Sequence, residues 1–130
     1  MKKKKRKPCE NCPMRIDQKI AEWTQDELDN ILKCEGQVIP QMACHHSSRK
    51  KEIHCAGWVI SQLQNNIDNV GLRLSIVTGV IREKDFDITF PVHASITEAF
   101  KNKVLSIPKR IQNERCTYQY ISNQLHFIHD

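Results

Sequence analysis

Four of the six cysteines fall in three short segments: Pro8-Cys9-Glu10-Asn11-Cys12-Pro13, Cys44-His45-His46 and His54-Cys55-Ala56-Gly57-Trp58. Thiolates supplied from short, separated loops are what a soft, tetrahedral metal centre requires. Two residues separate Cys9 from Cys12, so one tight turn aims both sulfurs at a single point, and Pro8 and Pro13 stiffen that turn. Ten residues separate Cys44 from Cys55, enough for a loop to return and close the other half of a tetrahedron. The 31 residues between Cys12 and Cys44 carry a predicted helix, which a shared metal would pin into the domain. Ligands dispersed around structure in this way predict a closed, structural site.

The metal is expected to be zinc. Four thiolates also suit a [4Fe-4S] cluster, but cluster motifs pack three or four cysteines closely and only one close pair is present here. His45, His46 and His54 are alternative ligands, or groups that hydrogen-bond a ligand sulfur from behind. Cys34 and Cys116 have no close partner and read as small buried apolar residues.

Charge divides the chain unevenly. The formal net charge is +5, yet Lys2, Lys3, Lys4, Lys5, Arg6 and Lys7 supply six cations with no intervening anion, leaving fourteen Lys and Arg against fifteen Asp and Glu elsewhere. A run of this kind repels itself and suits a phosphate backbone or an acidic surface. Residues 1–8 are therefore expected to be a disordered basic arm, with Arg15 extending its basic face.

The 130 residues imply one small domain: a metal-binding body over 9–103 and a C-terminal extension over 104–130 packed on it. Thr24-Gln25-Asp26-Glu27 has capping-box spacing, with Trp23 placed for a hydrophobic staple, and predicts a helix over 25–34 that stops at Glu35-Gly36. Trp58, Val59, Ile60 and Leu63 predict a helix from Ala56 to Asn65. Ile67, Val70, Leu74 and Val77 predict another, although Leu72 to Ile76 also alternates like a strand. Ser95-Ile96-Thr97-Glu98 is a second capping box opening a short helix. Beyond Pro108 the pattern fits a helix, or a strand over 116–120. The fold class is mainly α, small α or α+β: a metal-stapled single domain with an N-terminal Cys-rich turn and about four helices. With aromatics at only 6%, its core is expected to be built mainly from Ile, Leu and Val.

No apolar stretch approaches the ~20 residues of a membrane span, and the N-terminus lacks the apolar segment of a secretory signal. The expected location is cytoplasmic, where cysteines serve as ligands or buried thiols. Catalysis finds little support. Pro8-Cys9-x-x-Cys12 looks like half of a zinc-deaminase signature but has no upstream His-x-Glu. No βαβ pattern surrounds the pair for thiol-redox work. His93, His126 and His129 have no convergent nucleophile or carboxylate.

Cys9 to Arg15, Cys44-His45 and Cys55 to Trp58 together resemble a family of small bacterial and phage proteins with a Cys-x2-Cys-Pro-x-Arg, Cys-His, Cys-Ala-Gly-Trp pattern. The resemblance continues through Arg73-Leu74, Gly79 and Pro91 to Ala99, covering roughly residues 8–103. Met14 stands where that family often has an aromatic. The resemblance implies a metal site and a phage or bacterial origin, and implies no activity. The function expected from the sequence is a zinc-stabilised protein that acts on DNA, RNA or nucleic-acid-processing machinery through its basic arm. The alternative is a protein–protein adaptor or inhibitor of a host enzyme.

Overall fold

The computed structural model describes residues 4–44, 47, 52–106 and 120–121. Four α-helices are present among them: α1 (Gln25–Ile31), α2 (Ala56–Gln64), α3 (Val70–Val77) and α4 (Ile96–Phe100). Two short strands, β1 (Ile20–Ala21) and β2 (Val104–Leu105), pair in parallel with Ile20 opposite Val104. The result is the small, mainly α or α+β domain that the patterning predicts.

Helix α1 begins where its capping box requires. Thr24 Oγ1 accepts from the Glu27 N–H and the Glu27 carboxylate accepts from the Thr24 N–H, satisfying two backbone donors at once. Its last turn tightens into a 3₁₀ turn over Leu32–Cys34, so the expected helix over 25–34 is two kinds of helix end to end. Ser95 caps α4 by accepting from the Glu98 N–H. Leu72 to Ile76 is helical, which removes the strand alternative, and α3 starts only at Val70. Asn66 and Ile67 both have positive φ, so the chain turns sharply between α2 and α3 and interrupts the periodicity of Ile67 with Val70.

Asn69 decides that start. It is fully buried and caps α3 by accepting from the Leu72 N–H at 2.8 Å. Its amide group also donates to the carbonyls of Cys34 at 3.0 Å and Pro40 at 2.7 Å. One side chain thus ties the end of the first helical unit, the 38–40 segment and α3 together. The approach is close enough that a Cβ at Gly71 would lie 2.0 Å from the Ile39 carbonyl oxygen, so only glycine fits there.

The largest fully buried side chains include Trp23, Trp58, Met14 and Met42 alongside Ile31, Ile60, Leu72 and Ile96. The core is less aliphatic than composition suggested, because both tryptophans are placed inside it. Trp23 packs edge-on against Phe100 at 6.5 Å, joining the segment before α1 to α4. The expected C-terminal element lies outside the described residues except at Tyr120 and Ile121. There Tyr120 bridges Met42 in antiparallel fashion and the Ile121 N–H donates to the Gln41 carbonyl at 2.7 Å.

Removing the Asn69 side chain should strand two carbonyls and one N–H in the interior. Asn69→Ala is expected to cost about 2–4 kcal/mol. Asn69→Asp, which keeps the cap acceptor but loses both donors, should cost at least as much. Urea unfolding midpoints of the two variants check this.

Candidate metal centre

The N-terminal cysteine pair sits on successive tight turns, with the Cys12 N–H donating to the Cys9 carbonyl at 3.0 Å and the Arg15 N–H to that of Cys12 at 3.1 Å. This hook lies along the segment that follows α3. Arg15 bridges Val92, and the His93 N–H donates to the Met14 carbonyl at 2.9 Å. The other two cysteines lie on a short antiparallel ladder. Ala43 bridges His54, while the Cys44 N–H donates to Ile53 and the Cys55 N–H to Met42. Ser47 closes the neck of the intervening loop, its hydroxyl donating to the Ile53 carbonyl and accepting from the Ile53 N–H.

Hook and ladder meet at the start of α2, where Cys55 is the N-cap residue. The Cys12 and Cys55 sulfurs are 3.6 Å apart and both residues are buried. Cys9 in turn hydrogen-bonds the thiols of Cys12 and Cys44. The four cysteines singled out by spacing are therefore a continuous relay, Cys44–Cys9–Cys12–Cys55. Among the described residues, no group of three or more His, Cys, Asp or Glu side chains is arranged so that it could hold a metal ion as it stands.

The relay polarises its members. Hydrogen bonds from Cys12 and then Cys44 pull the Cys9 thiol well below the ordinary range, while those from Cys55 and Cys9, with burial, push Cys12 upward. Half-exposed Cys9 therefore gives up its proton more readily than buried Cys12. Cys34, fully buried nearby, is pushed up to about 12 by desolvation and then by the charge of Cys55, in keeping with a small apolar residue. Cys116 lies outside the described residues.

Gly57 is what lets the hook reach α2. A Cβ on this residue would stand 2.6 Å from the Cys12 sulfur and 2.8 Å from the Met14 Cβ. The Cys-Ala-Gly-Trp segment thus combines a ligand candidate, a gap for a second sulfur and a buried indole, Trp58. Spacing revealed the cysteines but gave no sign that the glycine served Cys12.

The other expected site residues divide sharply. The His54 ring is turned into the interior, with Nε2 2.8 Å from Gln41 Oε1, an oxygen that also accepts from Ser75 Oγ. Burial, reinforced by the Arg6 charge, lowers its pKa to about 4, so it is neutral near pH 7. His45 and His46 lie outside the described residues, as do Lys2 and Lys3. Arg15 forms a two-pronged pair with Asp17 at 2.9 Å and stacks 5.0 Å from the centre of the Phe90 ring. Arg6 is also engaged, donating to the His54 carbonyl at 2.8 Å and lying 5.1 Å from the centre of the Phe86 ring. Lys4, Lys5 and Lys7 are exposed.

Two outcomes check this geometry. In reduced, metal-free protein carrying Cys116→Ser, Cys9 and Cys44 should react with a thiol reagent before Cys12, Cys34 and Cys55, as read by peptide mass mapping. Gly57→Ala should lower stability by about 1–3 kcal/mol, measured by thermal or urea unfolding.

No helix among the described residues is long and apolar enough to cross a membrane. No curated protein and no solved structure matches the chain. A family match does extend over residues 4–115, beginning inside the basic run and continuing past α4. The chain belongs to DUF6283, a family of unknown function.

Proposed function

We propose that this is a zinc-stapled binding protein in which Cys9, Cys12, Cys44 and Cys55 hold one metal ion and the basic arm meets nucleic acid. The observation that carries the metal reading is the convergence of four thiols from three separate segments into one contact relay. Zinc–sulfur bonds of about 2.3 Å set a tetrahedral edge of about 3.8 Å. The 3.6 Å between Cys12 and Cys55 is close to that edge, so these two sulfurs need little movement to share an ion. The remaining members, Cys9 and Cys44, would complete the set. A [4Fe-4S] cluster interposes its own irons and sulfides between cysteines and needs them spread wider, which favours the mononuclear alternative.

Electrostatics supports the same reading. A divalent ion with four thiolates keeps two negative charges. Arg15 and Lys103 both lie within electrostatic reach of Cys12, and Lys103 is moored on the carbonyls of Arg15 and Gln18. The positive end of α2 also faces the sulfurs of Cys55 and Cys12. Ligation would then be structural, since all four ligand positions are occupied by protein and none is open for substrate.

Elemental analysis of the wild type and six Cys→Ser variants tests the metal. One zinc per chain is expected, lost with Cys9, Cys12, Cys44 or Cys55 replaced and kept with Cys34 or Cys116 replaced. Loss of the ion should unfold the domain, because metal affinity is folding energy in sites of this type. Iron with absorbance near roughly 400 nm would overturn the zinc assignment. For the arm, deleting residues 1–7 should abolish the salt-dependent part of DNA or RNA binding, roughly 0.7–0.9 in log–log slope for each phosphate no longer neutralised.

A further inference from the structure

The basic run does not leave the fold where its composition alone would have it do so. The Arg6 N–H donates to the Asp85 carbonyl at 2.7 Å, and the Asp87 N–H donates to the Arg6 carbonyl at 2.9 Å. These two bonds make a parallel bridge between Arg6 and Phe86. The Arg6 side chain is turned onto the body, over the Phe86 ring and against the His54 carbonyl, and Pro8 is buried two residues on. In extended chain, neighbouring side chains point to opposite faces. Arg6 facing inward therefore sends Lys5 and Lys7 outward, and both are exposed.

We infer that Arg6 docks the arm as an edge segment on residues 85–87, so that Lys5 and Lys7 form a fixed pair of phosphate contacts for a nucleic-acid strand. The inference rests on the reading that the arm meets nucleic acid and specifies how it does so. Two residues of extended chain span about 6.7 Å, a distance on the scale of two nucleotide rises of about 3.4 Å. Among residues 4–7 and 82–87 there are six cations and three carboxylates. The carboxylates are partly tied to their own loop: Asp85 pairs with Arg82 at 3.1 Å, and Asp87 accepts from the Thr89 N–H and hydroxyl. Glu83 is exposed on the same loop, and Lys5 and Lys7 both act on the Asp87 carboxylate. The outward field is moderately positive and is fixed in place.

A free polylysine-like tail binds by its number of charges and is indifferent to which residue sits at position 6. A docked arm is not, because Arg6 contributes its ring stacking and carbonyl hydrogen bond, which lysine does not reproduce, and docking removes ordering cost at binding. The test is fluorescence anisotropy of the full chain with labelled single-stranded DNA and RNA oligonucleotides across a salt series. Arg6→Lys keeps the charge and should weaken binding about tenfold with an unchanged salt slope, whereas Lys7→Arg should bind like the wild type. Lys5→Ala and Lys7→Ala should each lower the slope by about 0.7, the value per phosphate for single strands. Hydrogen exchange of the unaltered protein gives a readout that no variant's folding defect can confuse: the Arg6 and Asp87 amides should be protected. Unprotected amides, or Arg6→Lys binding as tightly as the wild type, would overturn the docking while leaving nucleic-acid binding intact. No oligonucleotide binding by the wild type at low salt would overturn both.

Discussion

The contact between the Cys12 sulfur and the backbone of Gly57 is the joint on which the architecture turns. It sets the N-terminal hook at the first turn of α2, and everything the hook touches follows from that placement. Met14 is carried into the core, its carbonyl receives the His93 N–H, and Arg15 comes to rest against Val92 and Phe90. A methyl group at position 57 would push on both Cys12 and Met14, so the sulfur and the thioether cannot be repositioned independently.

Much of the remaining order comes from polar pins inside the apolar core. Asn69 reaches carbonyls on two distant segments, Gln41 receives Ser75 and contacts His54, and Ser61 donates to the His93 carbonyl at 2.7 Å. Each of these residues is buried apart from His54 and His93, and each pin joins a helix or ladder to an irregular segment. Irregular backbone leaves carbonyls without partners, and a buried side-chain donor is one way to satisfy them. Two arginine–phenylalanine stacks frame the connector after α3, Arg6 on Phe86 at one end and Arg15 on Phe90 at the other. Cations that a charge count assigns to the surface thus help hold the hook in place.

What was legible in the sequence was local. Thr24 and Glu27 declare a helix start because both partners lie within four residues, and the cysteine spacing declares a cluster because few other arrangements explain it. Cys34 was readable as a buried thiol from its isolation. Asn69 was not readable as a cap, since its other two partners, the carbonyls of Cys34 and Pro40, come from remote parts of the chain. Arg6 stood in a run of lysines with no pattern to distinguish it, and its partners at Asp85, Phe86 and Asp87 are visible only in three dimensions. The composition also hid the core: two tryptophans matter little in a percentage and a great deal when both are fully buried.

The same long-range joints have a kinetic side. Cys12 and Cys55 are 43 residues apart, and closing a loop of that size costs roughly 3 kcal/mol of chain entropy beyond a constant term. Ile20 pairs with Val104, and Arg6 with Phe86, across still longer stretches. Folding dominated by such contacts is slow, because the entropy is lost before the contacts repay it. On the zinc reading proposed above, an ion that first gripped Cys9 and Cys12 and then captured Cys44 and Cys55 would close the Cys12–Cys55 loop early and shorten the search for the longer-range pairings. In that order of events, the supply of metal would set the pace at which the chain becomes a protein.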